Sequence, residues 1–241
     1  MGLIFKSSAF CLVALYGFQL ATAATTFAAE DVTDDMYLSA NLARNGKLSV
    51  HINELEKADD MVKTLKTALG DGTGLTTADT CDNMTLGASL KLTFSVKFTQ
   101  ETSKATNYRD MVQTALNKGL GQLPTYPSTW DAFWSNPDGA NLANLLWSQS
   151  TKIACAVGVC TDDTPLSSGK EAILVCQFSP AAQQNAAPFS KEYYDALHAR
   201  NTPITEMTEA DLKESSTGGA AAAVPSLLFA SLITILATAA A

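Results

Sequence analysis

Histidine is nearly absent: the 241 residues hold only two, His51 and His198. Catalysis or metal binding built on paired imidazoles has little to draw on. Basic residues are scarce as well. Sixteen Lys and Arg stand against 24 Asp and Glu, a formal charge of −8, and the pI is near 4.7. No basic cluster occurs, which argues against nucleic acid as a partner and against electrostatic docking on anionic lipid. The chain has no G-x-S-x-G elbow, so a serine hydrolase would lack its strained turn. The run Gly70-Asp71-Gly72-Thr73-Gly74 lacks the Lys-Ser/Thr of a phosphate loop and the spaced acids of a Ca2+ loop, and reads as a turn. Internal repeats are missing. Charged residues make up 17% and hydrophobic ones 46%, too apolar for a disordered chain and enough for a packed core.

The two ends read as processing signals. In residues 1–23, Lys6 precedes the apolar run Ala9 to Leu20, and Ala21-Thr22-Ala23 follows. That order is a secretory signal peptide. Met1-Gly2 opens like a myristoylation site, but Lys6 stands where that motif needs Ser or Thr. Near the other end, Val224 to Ala241 carries no charge and no basic anchor follows it in the sequence, unlike a spanning helix. Upstream lies the small-residue cluster Ser215-Ser216-Thr217-Gly218-Gly219. Small residues, a short spacer and an apolar tail form a glycosylphosphatidylinositol (GPI) signal. The spacer, Gly219 to Ala223, is small rather than polar. A tail-anchored helix competes with this reading but fits poorly with a signal peptide that already directs translocation. The expected organisation is a signal peptide at 1–23, an ectodomain at 24–201, a polar stalk and attachment region at 202–216, and a removed propeptide at 217–241. The lipid would join Ser215 or Ser216 and hold the protein on the outer leaflet of the plasma membrane.

Cysteine usage suits that compartment. Cys11 leaves with the signal peptide, and Cys81, Cys155, Cys160 and Cys176 remain. Four such Cys imply two disulfides with three possible connectivities. Cys155-x4-Cys160 lacks a C-x-x-C pair and a nearby His, and oxidised Cys cannot ligate Zn. Asn83-Met84-Thr85 is an N-glycosylation sequon.

Periodicity places the elements. Thr33 to Leu48 predicts a helix capped by Thr33, and Glu54 to Leu69 a second capped by Asn53. Leu90 to Phe98 alternates strictly and predicts a strand with one wet face. Thr106 to Leu120 reads as helix, and Leu123 to Gly139 as an aromatic-rich loop around a short helical turn. Lys152 to Val159 and Ala172 to Phe178 read as strands joined by a hairpin loop. Ser190 caps a last helix, Lys191 to Arg200, and Thr202 to Glu214 reads as a polar stalk. This order predicts an α+β fold with helices on an antiparallel sheet. The acid pairs Asp59-Asp60 and Asp162-Asp163 read as solvated, since adjacent carboxylates rarely face each other across a cleft.

One stretch is more specific. Trp147-Ser-Gln-Ser-Thr-Lys-Ile-Ala-Cys155-Ala-Val-Gly-Val-Cys160, then Val175-Cys176-Gln-Phe-Ser-Pro180, resembles the signature of CAP domains, the cysteine-rich secretory, antigen and pathogenesis-related superfamily. Asn41-Leu-Ala-Arg44 is similar to the Asn-x-x-Arg of that family's first helix. The resemblance implies an α-β-α sandwich with a central antiparallel sheet, stapled by Cys155–Cys176 and Cys81–Cys160. Many CAP domains gather two His and two Glu around a divalent metal; here the two His positions fall on Ala40 and Asn141. No metal, cofactor or catalytic residue is therefore expected. Signal peptide, degenerate CAP core, few Cys and GPI tail together resemble the SAG-type surface antigens of Eimeria and related coccidian parasites. That resemblance implies a non-enzymatic coat protein that engages a host-cell surface ligand. Two other readings compete: a lipid- or sterol-carrying CAP domain with a pocket among the 123–147 aromatics, and a hydrolase using His51 or His198 as base.

Overall fold

The computed structural model describes residues 25–77, 81–90, 92–101, 104–126, 129–161 and 170–213. In chain order the elements are β1 (Thr26–Asp31), α1 (Asp34–Asn45), β2 (Glu56–Lys57), α2 (Asp59–Gly70), β3 (Leu75–Thr76), β4 (Thr85–Leu86), β5 (Phe94–Gln100), α3 (Tyr108–Leu120), α4 (Asp131–Ser135), α5 (Pro137–Leu145), β6 (Lys152–Thr161), β7 (Lys170–Ser179) and α6 (Lys191–Ala199). The signal peptide, the Asp162-Asp163 pair, Ser215, Ser216 and the 217–241 segment lie outside the described residues.

The main sheet has the order β1-β6-β7-β5, all antiparallel, and β2 adds a short parallel pairing to β6. β1 pairs with Ala156 to Thr161, and β2 with Lys152 and Ile153 farther along the same strand. Successive strand side chains point to opposite faces, and both faces of β6 and β7 are buried. Ile153, Cys155, Val157, Ala172, Leu174, Cys176 and Phe178 share one core with Met36, Ala40, Val112, Leu142 and Tyr193 of α1, α3, α5 and α6. Ala156, Cys160, Ile173 and Val175 face the other way, onto Leu65 and Leu69 of α2, Leu75 of β3, and Met84 and Leu90. The architecture is the α-β-α sandwich that the CAP resemblance implies.

Each disulfide serves one layer. Cys155 and Cys176 are register partners on β6 and β7. Cys160 joins Cys81 across 79 residues of sequence, which pins the β3–β4 layer to the sheet. Closing a loop of that length stabilises the fold by an order of 4 kcal/mol in the chain-entropy account.

Several elements differ from expectation, each for a physical reason. The second helix starts at Asp59 rather than Glu54. Residues 52–57 are extended because side chains of α1 hold them and because Glu56 and Lys57 pair with β6. Asn53 therefore caps nothing. Thr33 occupies the N-cap of α1, but its hydroxyl makes no capping bond; its carbonyl accepts from the Met36 N–H. β5 begins at Phe94, after a 3-10 turn at Ala88–Leu90, and Leu92 is exposed. Pro137 opens α5 instead of interrupting a loop: Asn136 accepts from the Asp138 and Gly139 N–H groups, and proline suits a first helical turn. Thr202 to Lys213 is not a free stalk. Ile204 and Met207 are buried, the Arg109 guanidinium donates to the Met207 carbonyl, and the Lys47 N–H donates to the Asp211 carbonyl.

Candidate functional site

The residues of the Asn-x-x-Arg motif build a junction rather than a cleft. Asn41 and Asn45 lie four apart on one face of α1. The Asn41 amide donates to the Leu55 carbonyl at 3.0 Å and accepts from the Leu55 N–H at 2.8 Å. Asn45 does the same to Ile52, at 2.9 Å both ways. Each side chain thus replaces one residue of a neighbouring strand, and the incoming 52–55 segment is held extended.

Arg44 sits between them, fully buried. Its Nε and Nη2 donate to the Asn53 carbonyl at 3.1 and 2.8 Å. Its Nη1 donates to Leu145 at 2.8 Å and Trp147 at 3.1 Å, and Nη2 also to Ser150 at 3.2 Å. All acceptors are backbone carbonyls. Burial holds the guanidinium down at about 10. The Tyr193 hydroxyl donates to the Arg44 carbonyl at 2.6 Å, and burial pushes that phenol above its usual range. Arg200 donates to the Leu42 and Ala43 carbonyls, satisfying the C-terminal end of α1. Trp147 packs edge-on against Trp134. The Pro180 carbonyl, after a cis Ser179-Pro180 bond, accepts from the Ser150 hydroxyl at 2.8 Å. Arg44, Trp147 and Pro180 therefore converge, directly or through Ser150, on one polar knot beneath the 146–151 turn, and Asn41 holds Leu55 two residues from the Asn53 carbonyl that Arg44 also bonds.

The positions where CAP domains carry imidazoles do different work. Ala40 is wholly buried in the core. Asn141, on α5, accepts from the Ser95 N–H at 2.7 Å and donates to the Ser95 carbonyl at 3.0 Å. Asn144, one turn on, donates to the Thr93 carbonyl at 3.3 Å. A divalent metal does not fit this arrangement: Ala40 offers no donor, and both polar atoms of Asn141 are engaged by backbone. Among the described residues no three His, Cys, Asp or Glu side chains converge on a common point.

The histidines lie apart from both positions. His51 is half-buried with Nε2 3.0 Å from the Leu48 carbonyl, and His198 lies against the Tyr194 ring. Asp59 and Asp60 open α2, where carboxylates suit the helix dipole, and Asp59 meets Lys57 at 3.4 Å. The aromatics of 123–147 are largely core. Trp130, Phe133, Trp134 and Trp147 are buried, and Trp130 packs edge-on against Phe133 and Phe189. Asn83 is exposed at the end of the Cys81–Asn83 turn. Sequence reasoning overlooked Asn45, Asn144, Tyr193 and Arg200. For the asparagines the available signal was pairing on one helix face, Asn41 and Asn45 four apart and Asn141 and Asn144 three apart.

No protein-family model matches the chain, and no curated protein does. Solved structures do. The chain is similar to the Eimeria tenella surface antigen protein SAG19 at 19% identity and a TM-score of 0.50, over 72% of this chain and 97% of that one. A match to the hookworm platelet inhibitor has 15% identity and a TM-score of 0.41, over 67% of this chain and 78% of that one. The fold is thus shared with SAG19.

Proposed function

We propose that the protein is a non-enzymatic surface antigen that displays its α-β-α body on the outside of a parasite cell and meets a host-cell ligand there. The observation that carries this reading is the fold shared with a surface antigen along 97% of that antigen's length. Ala40 and Asn141 support the non-enzymatic part, because neither offers a free group to a metal or a substrate. In this reading residues 1–23 and 217–241 are removed and a GPI lipid is joined to Ser215 or Ser216. The docked 204–213 segment then sets the geometry. Two or three residues past Lys213 span at most about 10 Å, so the polypeptide itself supplies almost no stalk between the body and the glycan of the anchor. The lipid- or sterol-carrying alternative draws no support from the 123–147 aromatics, which fill the core against one another.

Phosphatidylinositol-specific phospholipase C tests the anchor on cells that display the full chain. Release into the medium is expected, and retention with an intact apolar 224–241 segment overturns the anchoring. Saturable binding of purified protein to host cells is expected for an adhesin; absence of binding reduces the role to a passive coat. A hydrolytic activity lost on His51→Ala or His198→Ala overturns the non-enzymatic reading.

A further inference from the structure

β5 is an edge strand, and its outer side is only half covered. The Asn141 amide takes the N–H and C=O of Ser95, and Asn144 takes the Thr93 carbonyl. Ser95 therefore turns its backbone groups away from β7. In an antiparallel ladder these directions alternate by residue, so Lys97 and Thr99 turn theirs outward too. Among the described residues nothing bonds the Lys97 and Thr99 groups from the outer side, while the next outward group, the Glu101 carbonyl, accepts from the Lys104 N–H at 3.3 Å. The edge is already a template in use, since Asn141 stands where a next strand would stand; between it and the Glu101–Lys104 turn, no described residue bonds the outward groups of Lys97 and Thr99.

The exposed side chains along that opening are Lys97, Thr99 and Glu101. They share one sheet face, opposite Phe94, Val96 and Phe98. A lone edge lysine guards against pairing. Here a glutamate mirrors the lysine about Thr99, so the edge is complementary to itself. The Thr99 hydroxyl is turned inward, donating to Glu171 of β7 at 3.1 Å. The Lys104 ammonium, 4.0 Å from the Glu101 carboxylate, leaves that carboxylate weakly engaged.

We propose that β5 pairs antiparallel with β5 of a second copy about a two-fold axis at Thr99. Each Lys97 then lies opposite the partner's Glu101, and one sheet runs through both molecules. The interface is isologous, as a closed dimer requires. Asn141 limits the ladder at Ser95 and so fixes its register: a slip by two residues in that direction drives the incoming strand into the Asn141 amide. A slip the other way sets Lys97 against no carboxylate. A second copy is favoured over an unrelated extended peptide because the opposing charges are those of the strand itself.

The test is crosslinking of the purified full-length chain in mild detergent. Cα atoms of a hydrogen-bonded antiparallel pair lie about 5.5 Å apart, inside the range a disulfide spans. Thr99→Cys is expected to give a reducible dimer on mild oxidation, several-fold above Thr64→Cys, an exposed control on α2. In the Thr99→Cys background, Lys97→Glu or Glu101→Lys alone sets like charges opposite each other twice and lowers the yield about tenfold. The double exchange Lys97→Glu/Glu101→Lys restores it. Equal yields from Thr99→Cys and Thr64→Cys, or a double exchange that restores nothing, overturn the proposal. Sedimentation gives a second reading: the unmodified chain shows a concentration-dependent dimer that Thr99→Pro, lacking the N–H, abolishes, and a monomer throughout the range refutes the pairing.

Discussion

Arg44→Met keeps most of the side-chain volume and removes every donor, so it isolates what the guanidinium contributes. Five hydrogen bonds are lost. The Asn53 carbonyl lies at the exposed rim and water replaces its partner there. The carbonyls of Leu145, Trp147 and Ser150 are bonded in the interior and have no substitute. At about 1–3 kcal/mol for each unsatisfied buried group, the loss is about 6 kcal/mol. Against it stands the charge itself. Holding the guanidinium at about 10 against a usual 12.5 costs about 3 kcal/mol. That penalty is complete below pH 10 and relaxes only as the pH rises through this value, so removing the charge recovers all of it near neutrality. The net expectation is a destabilisation of about 3 kcal/mol, or a Tm lower by about 10 °C in a domain of this size.

Thermal unfolding followed by circular dichroism, with both disulfides intact, measures this directly. The same drop is expected at pH 7 and pH 4, because the partners are carbonyls and no carboxylate need stay ionised. A variant as stable as the parent refutes the reasoning: it means that charge burial outweighs the bonds, as in buried ion pairs replaced by apolar groups. Arg44→Lys separates charge from geometry. One compact ammonium cannot reach Asn53, Leu145 and Ser150 together, so restored stability with lysine also counts against the account.

Three further outcomes follow from the same structure. Asn141→Ala removes both clamps on Ser95 and is expected to cost about 2 kcal/mol, with hydrogen exchange at the Ser95 amide reporting the freed edge. Gly119→Ala sets a Cβ 2.4 Å from the Leu142 Cβ and 2.9 Å from the Asp138 carbonyl; overpacking of about 1–3 kcal/mol outweighs the helix-propensity gain, and a raised Tm would contradict the close α3–α5 approach. The Thr208 N–H, with help from its hydroxyl and Lys47, holds the Asp211 carboxyl below its usual value. A depressed carboxyl stabilises above its unfolded value and loses that contribution as pH falls through the folded one, so an NMR titration of the Thr208 amide should show the 208–211 turn loosening only in strong acid, and a midpoint at or above the free carboxyl value contradicts it.

The elements that periodicity placed correctly are those whose side chains decide the matter locally. β6 and β7 are continuous apolar runs, and Ser190 caps α6 by accepting from the Tyr193 N–H as its position implies. The misplacements arise where a distant side chain overrules local pattern. Leu55 belongs to the apolar stripe of an apparent helix, yet its N–H and C=O are claimed by Asn41. β1, Thr26–Asp31, has little intrinsic strand character and exists because β6 offers it an edge. Ile204 and Met207 look incidental in a polar stretch, and only the cleft between α1 and α3 shows where they go. The CAP resemblance named Asn41, Arg44, Ala40 and Asn141, but gave none of them a partner. Partners are set by tertiary approach, and a hydrogen bond from Arg44 to Leu145 crosses 101 residues of sequence.

Two adjacent residues summarise how this chain divides labour. Asn41 spends both ends of its amide on Leu55, while Ala40, its neighbour, contributes only volume to the core. The same division recurs on α5, where Asn141 has become a mock strand residue for β5. A site for chemistry needs a polar group that is positioned yet left unsatisfied until a ligand arrives. At these places the polar groups are either absent or already satisfied by backbone. The exception lies one turn on, where the buried Asn144 Oδ1 has no hydrogen-bond partner among the described residues; recognition, by contrast, needs only an outer surface held rigid. The knot around Arg44, the two disulfides and the docked 204–213 segment all supply that rigidity, which lowers the ordering cost of binding. The prediction that separates the two views is simple: Arg44→Met should weaken the body's thermal stability and, at temperatures where it stays folded, leave any host-cell binding unchanged. Lost binding by a fully folded variant would place the knot itself in the contact.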